Sequence, residues 1–182
     1  MGLKHLGKGY SADVFQHPTM PDVAVKVFIY DPGFATYAKF CAQHESNPYL
    51  LKIFDYHNDP KGFNFEGSEG DKPNGLTSAN IVFVEKLQPA SSAAIKHFTA
   101  YCEQLAKFPA TGKTLGYYAD YGNEKLNLRL WAALAQQGRD RELQQFARWY
   151  NKQIKGDDHI PDVHDSNVMV RGTQMVFSDP IA

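Results

Sequence analysis

Apolar positions follow two different rhythms along this chain, and the change comes near residue 89. Before it they form short β-branched and aromatic runs, "VAVKVFIY" (23–30), "YLLKIFDYH" (49–57) and "NIVFVEKL" (80–87), which predict strands. "GKGYSAD" ahead of the first run is turn chemistry, so residues 1–30 predict strands joined by a turn. One helix interrupts them, from Pro32 to His44, where Phe34, Tyr37, Ala38 and Cys41 recur at three- and four-residue steps. Residues 58–79, rich in Gly, Asn, Asp and Lys, predict an inserted hairpin.

Past Pro89 the period becomes helical. Ser91 and Ser92 can cap a helix whose apolar face is Ile95, Phe98, Cys102, Leu105 and Phe108. A Gly- and Tyr-rich loop is expected over 109–123. Two helical stretches follow, "EKLNLRLWAALAQQ" and "RDRELQQFARWYNKQI", parted at Gly138. The tail returns to strands: "NVMVRG" and "TQMVFSD" predict a hairpin turning at Gly172 and Thr173. The expected class is α+β, with a strand-rich lobe over 1–88, a helical lobe over 89–182 and a cleft near 87–90.

Composition narrows this picture. A length of 182 residues suits one domain or two small lobes, and 43% hydrophobic with 13% aromatic residues is enough to bury a core. A net charge of −1 without a block of like charge gives no footprint for nucleic acid or an anionic membrane. No run approaches the length of a spanning helix and "MGLKHLGKGY" lacks the apolar core of a signal peptide, so the expected location is the cytoplasm. Cys41 and Cys102, both inside helical patterns, predict reduced core residues. The histidines lie in unlike segments and suggest no shared metal site. Trp131 and Trp149 fall at helical spacing with Leu134, Phe146 and Tyr150, which predicts packing. The oligomeric state stays open.

Four elements carry candidate chemistry. "LGKGYSADVF" reads Gly7-Lys8-Gly9-x-x-Ala12-x-Val14, small residues that let backbone amides close over phosphate oxygens, although a two-glycine turn by itself is more often a plain hairpin. Lys26 sits inside "VAVK"; it can snorkel to water or, behind such a hairpin, reach the phosphates of a nucleotide. Asp162 stands five residues before Asn167 in "DVHDSN", and Asp179 follows the apolar run "MVF". Each could be an ordinary surface turn. Their common order on the expected strands and loops is what makes them informative.

Together these segments resemble the protein kinase-like superfamily over nearly the whole length, and most closely the early serine/threonine kinases of short-tailed coliphages of the T-seven type. The resemblance implies a minimal bilobal kinase-like fold acting in the cytoplasm of an infected bacterium on Ser or Thr of host proteins. It implies ATP under Gly7, Lys8, Gly9, Ala12 and Val14, with Lys26 on its phosphates and its adenine against the backbone of Glu85 and Leu87 in the hinge "FVEKLQP". It implies Asp162 as the base that accepts the substrate hydroxyl proton, and Asn167 and Asp179 as ligands of Mg²⁺.

Several positions depart from that pattern. Ile160 and Pro161 replace the His and Arg before the catalytic Asp, and Pro180 replaces the Phe after the metal Asp. His164 makes the motif D-x-H-x-x-N, the spacing of aminoglycoside and choline kinases, so a small-molecule acceptor stays open. A non-catalytic host-binding protein on a kinase scaffold is the third reading, disfavoured by the retention of Lys26, Asp162, Asn167 and Asp179. Glu45 is expected to end a helix rather than pair with Lys26. The sequence stops three residues after Asp179, which predicts no activation segment; a whole protein and the first domain of a longer one both remain open.

Overall fold

Every residue of "VAVKVF" is buried, and that one strand organises the first part of the molecule. In the computed structural model, which describes residues 3–9, 12–28, 31–58, 80–108, 121–155, 162–163 and 167–181 (without the side chains of 121–126), β1 (His5–Lys8), β2 (Ala12–Gln16), β3 (Val23–Phe28), β4 (Ile53–His57) and β5 (Asn80–Glu85) form a five-stranded antiparallel sheet. Its order is β1-β2-β3-β5-β4, so β3 is central. Alternation splits the sheet into two faces. Val25, Val27 and Ile81 form a cluster on one face with Phe15 and Phe83 against it. Ala24, Lys26 and Phe28 take the other.

The chain divides into two compact units, one of residues 1–31 and 52–86, the other of 32–51 and 87–182. The division between Lys86 and Leu87 falls inside "FVEKLQP". Against the expected boundary at 88/89, the second unit also takes 32–51, which holds α1 (Pro32–Gln43). That excursion explains why the expected strand 49–57 is shorter. "YLLKIFDYH" is one apolar run in sequence, but only Ile53–His57 joins the sheet. Leu50 instead bridges Phe177 in parallel, and Phe177 donates its N–H to the Tyr49 carbonyl at 2.9 Å.

In the second unit, α2 (Ser92–Leu105) begins at Ser91, whose hydroxyl accepts the Ala94 N–H at 3.2 Å. α3 (Tyr121–Gln137) and α4 (Arg141–Lys155) flank Gly138 as expected, though α3 starts earlier than the polar composition of 121–123 suggests. Leu130, Trp131, Leu134, Leu143, Phe146 and Tyr150 are fully buried, which confirms Trp131 as packing. β6 (Gln88–Pro89), β7 (Val168–Arg171) and β8 (Gln174–Phe177) make a small antiparallel sheet. The β7–β8 hairpin turns where expected, with Gly172 at φ 63°, a conformation that favours glycine. The architecture is α+β as expected: an antiparallel sheet makes up the first unit, and helices with a small sheet make up the second. No helix among the described residues is long and apolar enough to cross a membrane.

Candidate active site

Register brings the candidates of the first unit into line. Gly7 pairs with Val14, Val14 with Lys26, and Lys26 with Val82, which also faces Tyr56. Directly opposed residues share a face, so the glycine-rich turn, Val14 and Lys26 form one row across the sheet. The turn itself is tied by Gly9 N–H to the Ala12 carbonyl at 2.8 Å, with Ala12 buried and Lys8 exposed. A Cβ on Gly7 would meet nothing within 4 Å among the described residues, and its φ is not in the left-handed region. Neither backbone strain nor close packing of described residues therefore accounts for a glycine there.

Lys26 is buried, at 7% exposure. A buried ammonium needs a counter-charge. Its ion-pair partner is Asp31, the residue just before α1, at 4.0 Å from Nζ to Oδ2. The Phe28 ring lies under the ammonium, 5.8 Å from its centroid. Glu45 lies beyond the end of α1, in an exposed turn, as expected of a helix-end residue. The sequence reading missed Asp31; an acid interrupting the apolar "KVFIYDPGF" was the available signal.

Glu85, also buried, is bound into its sheet twice. It donates its N–H to the Lys52 carbonyl at 3.0 Å, and its Oε1 accepts the Lys52 N–H at 2.8 Å. Its backbone N–H is thus engaged within the first unit. Leu87, in the other unit, is buried next to the β6–β7 pairing.

The second unit gathers Asp162, Asn167 and the segment carrying Asp179. Asp162 donates its N–H to the Pro180 carbonyl at 2.9 Å, and Ser178 donates to the Asn167 carbonyl at 2.9 Å. The Asn167 amide nitrogen donates to Asp162 Oδ2 at 2.6 Å and to the Asp162 carbonyl at 3.0 Å. With Nδ2 so committed, the planar amide presents Oδ1 on its other side. One oxygen of Asp179, Oδ1, is fully buried. Tyr37, itself buried, donates to the Phe177 carbonyl two residues before Asp179, and Phe146 stacks on Phe177 at 3.9 Å between centroids. Burial, chiefly, holds the Tyr37 phenol well above its usual range and keeps it a neutral donor.

Asn167 Oδ1 and the Asp179 carboxylate are hard oxygen donors of the kind Mg²⁺ takes. No group of three His, Cys, Asp or Glu among the described residues could hold an ion. The residues fit a cation that completes its shell with phosphate and water, and do not fit an all-protein cage. Ile160, Pro161 and His164 lie outside the described residues. Cys41 and Cys102 are buried as expected, and burial pushes the Cys102 thiol up, away from nucleophilic use.

Asn127 on α3 is a residue the sequence reading passed over. It is buried and donates Nδ2 to the Val163 carbonyl at 2.9 Å, pinning the residue beside Asp162. Asn127→Ala removes that donor from a buried carbonyl, so a loss of about 1–3 kcal/mol is expected. Urea unfolding checks it; an unchanged midpoint would show that α3 does not support this loop.

No family model matches the chain, and no curated protein matches it. Among solved structures it is similar to a thermostable mutant of aminoglycoside phosphotransferase APH(4)-Ia in the apo form, at 12% identity over 100% of this chain and 68% of that one, with a TM-score of 0.43. A ternary complex of a mutant of the same enzyme (N202A) with AMP-PNP and hygromycin B gives 10% identity, 99% and 67% coverage and a TM-score of 0.42. The streptomycin–ATP–APH(2")-IIa ternary complex gives 13%, 100%, 67% and 0.34. At these values no residue role carries over from them to this chain.

Proposed function

We propose that this chain is an ATP-dependent phosphotransferase that moves the γ-phosphoryl group to a hydroxyl. The observation that carries the reading is the knot around Asp162. Its carboxylate is oriented by Asn167, and its backbone is bonded to the residue following Asp179. A carboxylate held this way can accept a proton while a metal-ligand pair stands beside it. Asp162 takes the proton of the attacking hydroxyl, the new oxygen–phosphorus bond forms, and the bond to the β-phosphate oxygen breaks to release ADP. Lys26 and the Gly7–Val14 turn hold the nucleotide phosphates. Bound Mg²⁺ would supply charge neutralisation, with Asn167 and Asp179 as its protein ligands.

For the acceptor, the first reading is Ser or Thr of host proteins in an infected bacterium. It is supported by the likeness of "LGKGYSADVFQHPTMPDVAVKV" and "DVHDSNVMV" to phage kinases. The second reading, a small-molecule alcohol, is favoured by the D-x-H-x-x-N spacing. The test is transfer of labelled phosphate from ATP into a bacterial lysate, with protein and small-molecule fractions separated and Mg²⁺ omitted in a control. Label in protein that depends on Mg²⁺ is expected. Label confined to small molecules replaces the first acceptor with the second, and no transfer to either overturns the phosphotransferase reading.

A further inference from the structure

We propose that the groove between α3 and α4 is a docking site for an acidic, extended segment of a partner protein. Arg148, Asn151, Lys152 and Lys155 of α4 line it with Ala135 of α3, around a volume of about 440 Å³. Their steps of three and four residues set them on one side of the helix, beside the stripe of Leu143, Phe146, Ala147 and Tyr150 that is buried. Arg148, Lys152 and Lys155 are exposed, and no carboxylate among the described residues pairs with any of them. Glu142, the acid of α4, stands in its first turn, about 9 Å or more along the axis from all three. From Asn127 to Gln137, α3 carries no acid at all. The groove thus offers three cations and no fixed acid among the described residues that line it.

Its cations are held in place from below. Arg148 donates its Nε to the Ala135 carbonyl at 3.0 Å, which fixes the guanidinium across the two helices and leaves its terminal nitrogens for a planar carboxylate. Asn151 donates to the Ala147 carbonyl at 2.7 Å. Beneath them Trp131 of α3 packs edge-on against Phe146 and Tyr150 of α4, so the floor is rigid. Arg148 and Lys152 stand about 6 Å apart along the axis, and Lys155 about 4.5 Å further. Alternate side chains of an extended peptide are about 6.8 Å apart on one side of it, so two acids can meet Arg148 and a lysine together. No aromatic ring lines the groove for a base to stack on, and the chain carries a net charge of −1, which favours a short acidic peptide over nucleic acid. None of these residues belongs to the candidate active site. On the protein-acceptor reading the acidic segment would lie in the acceptor, away from the reacting hydroxyl.

Fluorescence anisotropy with a labelled hexaglutamate peptide tests the proposal; it is read without ATP and so stands or falls apart from phosphotransfer. Hexaglutamate should bind the wild type at low ionic strength and weaken toward about 0.15 M salt, where charges are screened beyond about 8 Å. Lys152→Gln/Lys155→Gln leaves the Arg148 bond to α3 intact and should weaken binding by roughly fivefold or more. Lys4→Gln/Lys39→Gln removes the same charge at exposed positions elsewhere and should change it by less than about twofold. Melting curves show that each variant is folded. Equal weakening in the two double variants would reduce the effect to net charge and overturn the groove, as would no binding by the wild type. Tighter binding of a single-stranded oligonucleotide of the same charge, with the same dependence on Lys152 and Lys155, would replace the protein partner with nucleic acid. Binding that appears only in Asp157→Asn/Asp158→Asn would show that the chain's own acids take the groove, and would overturn a partner's claim to it.

Discussion

Asp162→Asn is expected to lower kcat by about 10²–10⁴-fold, the usual worth of a positioned general base. The substitution is nearly isosteric, and its amide oxygen can still accept from the Asn167 Nδ2 that now donates to Oδ2 at 2.6 Å. Its backbone N–H to the Pro180 carbonyl is untouched. Fold, metal ligands and nucleotide affinity should therefore survive while the proton acceptor is lost. Loss at the chemical step with unchanged ground-state binding appears as a fall in kcat without a rise in the nucleotide dissociation constant. The measurement is labelled-phosphate transfer beside calorimetric nucleotide binding and a melting curve. Transfer within threefold of wild type would remove Asp162 from the role of base.

Lys26→Met is expected to lower kcat/KM by about 10²–10³-fold, comparable to deleting one preorganised donor at a centre of developing charge. Methionine keeps an unbranched apolar stem between Val14 and Val82, so the centre of the sheet should still pack. The variant will not be thermally silent, however. It removes a cation that faces buried Asp31, and weakening a buried ion pair from one side destabilises the fold. A lower melting point with retained cooperativity, together with the kinetic loss, is the expected signature. Unchanged phosphotransfer would place the nucleotide phosphates elsewhere.

Much of the secondary structure was legible because its signals are local. Alternating β-branched residues announced β3 and β5, three- and four-residue steps announced α1 and α2, and Gly172 marked the β7–β8 turn. The candidate catalytic residues were legible for a similar reason. Asp162 and Asn167 are five residues apart, and the Gly7–Val14 turn is one hairpin strand away from Lys26, so spacing along the chain carries their relation. Periodicity failed where one run serves two neighbours. "YLLKIFDYH" shows a single apolar pattern, yet Tyr49 and Leu50 pack in the second unit and Ile53–His57 in the first sheet.

The sequence by itself determined where most of the strands and helices form and which polar residues are candidates for phosphoryl chemistry. Only the tertiary structure decided what holds those residues in place. Strand register, not composition, sets Gly7, Val14, Lys26 and Val82 in one row. Asp31, beyond the end of β3, lies 4.0 Å from Lys26, while α1 contains no acid. Helix packing brings Asn127 to the Val163 carbonyl across 36 positions of sequence, and Tyr37 to Phe177 across 140. These contacts join residues whose separation leaves no periodic trace, because the free energy that selects them comes from burying shared surface and pairing buried polar groups.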